Sequence, residues 1–232
     1  MNTNYTRGLL IELLNAGSAL GFKIQGELES RAGMKSIASS VKSYRAELAE
    51  LVQELLRGSG RFSKAAFRAT MKNQIAESAP RVFENGWEEG GGDPVDIGEA
   101  ESNKVDEFID EQQDYVNDFS DWLTNKDSDL DQVPDRLDTW AASMKNLGDL
   151  AKALAMGNPP LTFKTDGTQT ENGCDECADL EGQTHTLSYW TGKNPDGVDY
   201  TKRNGNDAFG CGRWEPCPHH FYHAKTDELI IE

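Results

Sequence analysis

The chain changes character within "ALAMGNPPLTFKTDG", Ala153–Gly167. Upstream, apolar residues recur every three to four positions, the period of a helix that buries one face. Gly157 and the two prolines that follow end this helical pattern. The segment LTFKTDG is typical of a strand. We therefore predict an α+β protein, mainly α, in which an elongated helical region at 1–157 precedes a small strand-and-loop module at 158–232.

The helical region divides at clear stop and start signals. The run Gly58-Ser59-Gly60 ends one predicted helix, and Ser63 is placed to cap the next. Pro80 is expected to kink or split that helix, and GGGDP at 90–94 predicts a break. The predicted helices cover approximately residues 5–22, 41–55, 63–87, 105–122 and 134–154. In the C-terminal module, ELIIE at 228–232 predicts a second strand.

The charge is uneven along the chain. The net charge is −17 and 37% of the residues are hydrophobic, which suits reliance on a partner better than a deep core. Residues 1–70 carry +4, residues 71–157 carry −14 and residues 158–232 carry −7. The basic start could approach anionic material or an acidic partner, and the acidic middle suits a basic protein surface. Acidic faces that are simply solvated explain the same charge pattern equally well. A DNA-binding C-terminal module is disfavoured because phosphate contacts need a basic face.

Neither a signal peptide nor a membrane-spanning segment is expected. The N-terminal apolar run is short and contains Glu12. No stretch reaches the roughly 20 apolar residues that a spanning helix requires. We expect a soluble protein made in a reducing cytosol.

The four cysteines are the most informative residues of the module. A loop-rich unit this small needs a cross-link to be stable, such as disulfides or a bound metal, and we call this cross-link a staple. They form two pairs, a C-x2-C pair of Cys174 with Cys177 and a C-x5-C pair of Cys211 with Cys217. Two facing cysteine turns give the tetrahedral thiolate set that structural zinc favours. The second pair is wider than usual, so His219 or His220 could replace one cysteine. We predict one structural zinc.

Other interpretations of the cysteines remain open. Two disulfides would need an oxidising compartment. A redox C-x2-C would need a βαβ setting that the sequence does not show. The simplest alternative is that the four cysteines are free thiols with no special role. A catalytic zinc would need an open position and a nearby acid or base, for which His185, Glu215 and the histidines at 219, 220 and 223 are the candidates.

Acidic and aromatic residues elsewhere have plainer explanations. Asp127, Asp129 and Asp131 are spaced like the start of an EF-hand loop, but Gln132 stands where the loop needs glycine. We therefore predict an acidic connection between helices. The tryptophans at 87, 122 and 140 are predicted to be core, and those at 190 and 214 to pack the cysteine module.

The C-terminal third of the chain resembles phage minor head, or head morphogenesis, proteins typified by the F protein of phage Mu. In that family a tryptophan helix and a short strand precede a C-x2-C-x2-L-x-G motif, then His, then Tyr-Trp, and last a cysteine-rich run. The matching residues are Trp140, Phe163 to Gly167, Cys174, Cys177, Leu180, Gly182, His185, Tyr189, Trp190, Cys211, Gly212, Cys217 and His219. The C-x5-C spacing and the PHHFYH ending depart from the pattern.

The resemblance implies a structural virion protein rather than an enzyme. Such a protein is made in the host cytoplasm and sits in several copies at the portal or capsid interior, where it assists head assembly. Its expected partners are portal or other capsid proteins, with the basic N-terminal third near packaged DNA. The alternative is a zinc-containing hydrolase or toxin-like domain that uses His185 and Glu215.

Overall fold

The structure is a computed structural model, and it describes residues 36–57, 62–165, 179–201 and 219–231. The predicted helix at 5–22 lies outside these ranges. The long helices of the described part are α1 (Ile37–Arg57), α2 (Lys64–Glu89), α3 (Glu99–Thr124) and α4 (Val133–Ala155). Short 3-10 turns at Pro94–Asp96 and Leu130–Gln132 precede α3 and α4. Among the described residues, no helix has the length and apolarity of a membrane span.

Local signals set several helix boundaries where they were predicted. However, α1 and α3 begin earlier than predicted, at Ile37 and Glu99 instead of about 41 and 105, and the predicted stop at 58–60 lies outside the described residues. Ser63 caps α2, because its Oγ accepts the Ala66 amide at 3.1 Å. The GGGDP break begins directly after Glu89, the last residue of α2. The predicted split at Pro80 does not occur, because α2 runs through that residue. Pro80 is solvent-exposed, so the ring projects away from the core.

The long helices bury an apolar core with aromatic residues at its centre. The Phe119 ring lies 6.2 Å from Phe67 and 6.0 Å from Trp140, between centroids. Along α3, Val116 is fully buried, whereas the neighbouring Tyr115 is 37% exposed. Other residues of this core are Tyr44, Leu48, Val52, Met71, Ile75, Val82, Phe83, Leu123, Leu137 and Met144.

The acidic connection between α3 and α4 supports its own turn. The Asp129 carboxylate accepts the Asp131 amide at 3.2 Å and the Gln132 side chain at 3.4 Å. Asn125 accepts the Asp127 amide in the same way, at 3.1 Å. The prediction of a helix-to-helix connection is confirmed by this geometry.

Four strands form an antiparallel sheet in the order β2-β1-β3-β4. They are β1 (Pro160–Thr165), β2 (Thr184–Thr186), β3 (His219–His223) and β4 (Leu229–Ile231). The predicted strands correspond to β1 and β4, whereas β2 and β3 were not predicted. A one-turn helix, α5 (Leu187–Trp190), follows β2 directly. The fold is therefore α+β and mainly α, as the sequence indicates.

One face of the sheet carries a compact apolar core. Trp190 is fully buried, with Phe163 at 6.0 Å and Phe221 at 5.1 Å between ring centroids. Ala153, near the end of α4, belongs to the same cluster. Trp190 is thus part of the core of the sheet. Its predicted packing against the cysteines stays a prediction, because the cysteines and Trp214 lie outside the described residues.

The chain divides into two compact units. The first comprises Met1–Asn85 with Ile97–Leu147, and the second comprises Gly86–Asp96 with Gly148–Glu232. The division falls inside α2 and inside α4, so the last turns of both helices belong to the unit of the sheet. The domain boundary at 157/158 stays a prediction from the sequence.

Candidate functional site

The predicted cysteine ligands, Cys174, Cys177, Cys211 and Cys217, lie outside the described residues, as does Glu215. Within the described ranges, no three His, Cys, Asp or Glu side chains are grouped so that they could hold a metal ion. This result includes the aspartates at 127, 129 and 131, but it does not bear on the cysteines.

The residue before the first cysteine-bearing segment and the residue after the second are both described, and they are neighbours at one end of the sheet. Residues 166–178 follow Thr165, the last residue of β1, and residues 202–218 precede His219, the first residue of β3. Thr165 and His219 are register partners, and Cα atoms of antiparallel partners lie about 4.5–5.5 Å apart. The two segments therefore adjoin neighbouring strands at the same sheet end.

The far end of the first segment returns to the same region. The Gly182 amide donates to the Phe163 carbonyl at 2.8 Å, and the Phe163 amide donates to Gln183 at 3.0 Å. Gly182 has φ +78°, a conformation that glycine adopts without strain. The matched L-x-G element is thus the turn that leads the chain from residues 179–180 into β2.

Strand β3 distributes the C-terminal histidines over two faces. His220 pairs with Lys164 and is nearly buried, whereas His223 pairs with Leu161. Residues three apart on a strand point to opposite faces. His223 Nδ1 accepts the Lys225 and Thr226 amides, each at 3.3 Å, so this ring supports the turn after β3.

His185 belongs to an aromatic arrangement on α5 and β2. Its ring stacks on Tyr189 at 3.8 Å between centroids, with an interplanar angle of 15°. Its Nε2 lies 3.1 Å from Gln183 Oε1. Tyr200 is also roughly parallel to Tyr189, at 6.5 Å between ring centroids, and burial raises the pKa of the Tyr200 hydroxyl. Trp190 contacts the rings of His185, Tyr189 and Tyr200 in edge-to-face geometry.

The loop after α5 is fixed by one asparagine. Asn194 Nδ2 donates to the Tyr189 carbonyl at 2.8 Å and to the Val198 carbonyl at 2.6 Å. Its Oδ1 accepts the amides of Asp196 and Val198, each at 3.1 Å. The Asn-Pro-Asp-Gly run is the sequence signal for this turn, and it brings Tyr200 back onto Trp190.

An open groove of about 430 Å³ runs beside β2. Hydroxyl groups, two rings and one ammonium line it. The lining residues are Pro160, Thr184, His185, Thr186, Ser188, Tyr189 and Lys193. The sequence pattern singled out only His185 and Tyr189 of this set, because β2 itself was not predicted. The groove lies beside a strand that has one strand neighbour among the described residues, and its lining carries a single full positive charge.

No protein-family model, curated protein or solved structure matches the chain, so the resemblance in its cysteine module stays a prediction from the sequence.

Proposed function

We propose that the chain is a structural virion protein of the phage minor head, or head morphogenesis, kind. In this proposal it is not an enzyme. Its C-terminal module is stapled by one structural zinc, and the module presents a surface to portal or other capsid proteins during head assembly.

The observation that carries the proposal is the pairing of Thr165 with His219. It brings the segments that hold the two cysteine pairs to neighbouring strands. A metal that bridges the two segments would close the sheet end from which both extend. Because metal binding requires both segments to be in their folded positions, its free energy would add to the stability that the apolar core gives the sheet.

The donor set fits zinc chemically. Four thiolates, or three thiolates and an imidazole, are the ligand sets of closed structural zinc sites. We assign the ligands Cys174, Cys177, Cys211 and Cys217, with His219 or His220 as the substitute for Cys217. When bound, the metal supplies cross-linking rather than reactivity.

The charge distribution supports a basic protein partner. The outward face of α3 carries a run of exposed carboxylates, among them Asp106, Asp110, Asp114 and Asp118. A basic capsid or portal surface would complement this face, and the match would steer association. The basic N-terminal third, most of which lies outside the described residues, is the part we assign to packaged DNA.

Metal content tests the staple. We expect about one zinc per chain by elemental mass spectrometry of protein purified without chelator. Cys174→Ala and Cys211→Ala should each lose the zinc and the native fold of the sheet. His223→Asn is the matched control, because His223 Nδ1 is engaged in the turn after β3, and it should keep the metal. A chain that folds normally with no zinc would overturn this part.

Particle association tests the biological role. We expect the protein in purified particles or procapsids by mass spectrometry, in several copies, and captured by immobilised portal protein. Absence from particles, procapsids and portal pull-downs together would reject the virion role, even if zinc is present.

The hydrolase alternative ranks second. His185 is stacked on Tyr189 and paired with Gln183, and its proposed partner Glu215 lies outside the described residues. A Cys174→Ala variant that folds but loses a hydrolytic activity would favour this alternative.

A further inference from the structure

Strand β2 is an edge of the sheet. Its only strand neighbour in the described part of the chain is β1. Just after β2, the Leu187 amide donates to the Pro159 carbonyl at 3.0 Å. Hydrogen-bonded and non-hydrogen-bonded pairs alternate along antiparallel strands. Thr186 and Thr184 therefore turn their N–H and C=O groups away from β1.

The partner of Thr186 confirms this orientation. Thr186 pairs with Pro160, whose carbonyl accepts the Ala224 amide at 2.9 Å on the side of β3. Both threonines of β2 are exposed. The Thr186 carbonyl belongs to α5, because Thr186 is the N-cap of that helix. The Thr186 amide and the Thr184 amide and carbonyl thus form a short outward row without a strand partner among the described residues, which is the arrangement to which an additional strand binds.

The charge of the groove lining favours a bound segment with an acidic side chain. Lys193 is the one fully charged side chain that lines it, and the described lining holds no carboxylate. The chain as a whole carries −17. A segment that enters this groove with an acidic side chain would meet the ammonium of Lys193, whereas a basic segment would be repelled there.

We propose that β2 and its groove form a docking site for an extended peptide segment of a partner protein, which adds as a strand to β2 and places an acidic side chain near Lys193. The three residues of β2, Thr184, His185 and Thr186, all line the groove, which suits an extended chain. Association of two copies of this acidic protein is opposed by their like net charge. This site depends on neither the zinc nor the virion role.

Fluorescence anisotropy with a labelled short peptide tests the site. The probe alternates threonine and valine around a central glutamate, and its matched versions carry lysine or proline at the centre. We expect saturable binding of the glutamate peptide to the full chain. Binding should weaken roughly tenfold or more for the other two, since one loses the charge match and the other a backbone donor.

Two variants at one position separate the backbone from the side chain. Thr186 has φ −68°, a value that proline adopts without strain, and its amide points outward. Thr186→Pro should therefore keep the fold and weaken peptide binding roughly tenfold. Thr186→Val keeps the amide and removes only the hydroxyl, so it should bind like the unchanged protein. Equal binding by both variants would contradict strand addition.

A charge swap tests the specificity. Lys193 is exposed, so Lys193→Glu should fold normally. It should weaken the glutamate peptide and strengthen the lysine peptide. Failure of the glutamate peptide to bind the unchanged protein would overturn the proposal. So would slow hydrogen exchange of the Thr186 amide in the free chain, which would mean that the chain itself already covers the edge.

Discussion

Trp190 joins the short helix α5 to the centre of the sheet. It is fully buried, and its Nε1 donates to the Leu161 carbonyl at 3.1 Å. Trp190→Phe would remove this donor and leave a cavity against Phe163. We expect the free energy of unfolding to fall by about 2 kcal/mol, measured by urea denaturation followed by circular dichroism. Val95→Ala, at a position 82% exposed, is the control, and a matching loss there would refute the assignment.

An ion pair gives the sheet unit a defined pH dependence. Lys152 Nζ lies 2.8 Å from Glu228 Oε1, and this hydrogen bond holds the pKa of Glu228 below its ordinary value of 4.5. A carboxyl with a lowered folded pKa contributes stability above 4.5 that is lost as the pH falls through the folded value. Because Glu228 is largely exposed, the contribution is below about 1 kcal/mol.

Titration of the Glu228 side chain by NMR checks this linkage. Lys152→Met keeps the aliphatic length and removes the ammonium, so the pKa of Glu228 should rise toward its ordinary value. An unchanged Glu228 titration in the variant would show that Lys152 is not the cause.

The end of α2 approaches α4 at glycine. A Cβ added to Gly86 would lie 2.1 Å from the Gly148 carbonyl oxygen, closer than any real contact. Gly90 is equally restricted by the Lys152 carbonyl, at 2.3 Å. Replacing a helical glycine by alanine ordinarily raises the stability of a protein. At Gly86 the added methyl group would collide with the backbone of α4, so the backbone would have to move.

Gly86→Ala should therefore destabilise the protein by about 1–3 kcal/mol, measured by thermal and urea unfolding. Asn103→Ala, on the exposed surface of α3, serves as the helical control and should change stability by less than about 0.5 kcal/mol. A stabilised Gly86→Ala would mean that the two helices are further apart than the structure places them.

In contrast to Gly86→Ala, replacement of Pro80 by alanine is expected to raise the stability of the protein. Pro80 interrupts the hydrogen-bond ladder of α2 by lacking an N–H, and its exposed ring makes no core contact that alanine would lose. Pro80→Ala should raise the free energy of unfolding by about 1–3 kcal/mol. Ala76, four residues earlier, would regain a donor for its carbonyl. Unchanged stability would indicate that the helix had already adapted to the proline.

At the level of elements, periodicity predicted helices better than strands. The long helices α1 to α4 have repeating apolar positions and local caps such as Ser63, so short-range physics defines them. Strand β2 has three residues, and β3 reads HHFYH, in which the histidines suggested ligands. Both are strands because β1 pairs with them, and pairing between distant segments leaves little local pattern.

The residues of the candidate site could be predicted from the sequence only in part. The cysteines, His185 and Trp190 were recognised as residues of one module, and Trp190 is fully buried in the core of the sheet. The groove was not visible, because it depends on the edge position of β2 and on the turn that Asn194 holds. The edge position follows from strand order, which no single segment encodes.

For the whole molecule, the two units have distinct cores. One is built from the long helices around Phe67 and Phe119, and the other from the sheet around Phe163 and Trp190. Local opening can differ between such units, because each is a separate set of packed contacts. A metal that binds the folded sheet unit but not its unfolded state would stabilise that unit, and it would not stabilise the helical unit.

If the proposed zinc is the staple, chelation should act on one unit alone. After treatment with a strong chelator, we expect hydrogen exchange in β1 and β3 to accelerate roughly tenfold or more, since metal binding and folding are coupled. Exchange in α1 and the first turns of α2 should stay unchanged. Readdition of zinc should restore slow exchange in the strands. Equal acceleration in both units would instead show that they open as one cooperative body, and no acceleration would show that the sheet does not depend on a metal.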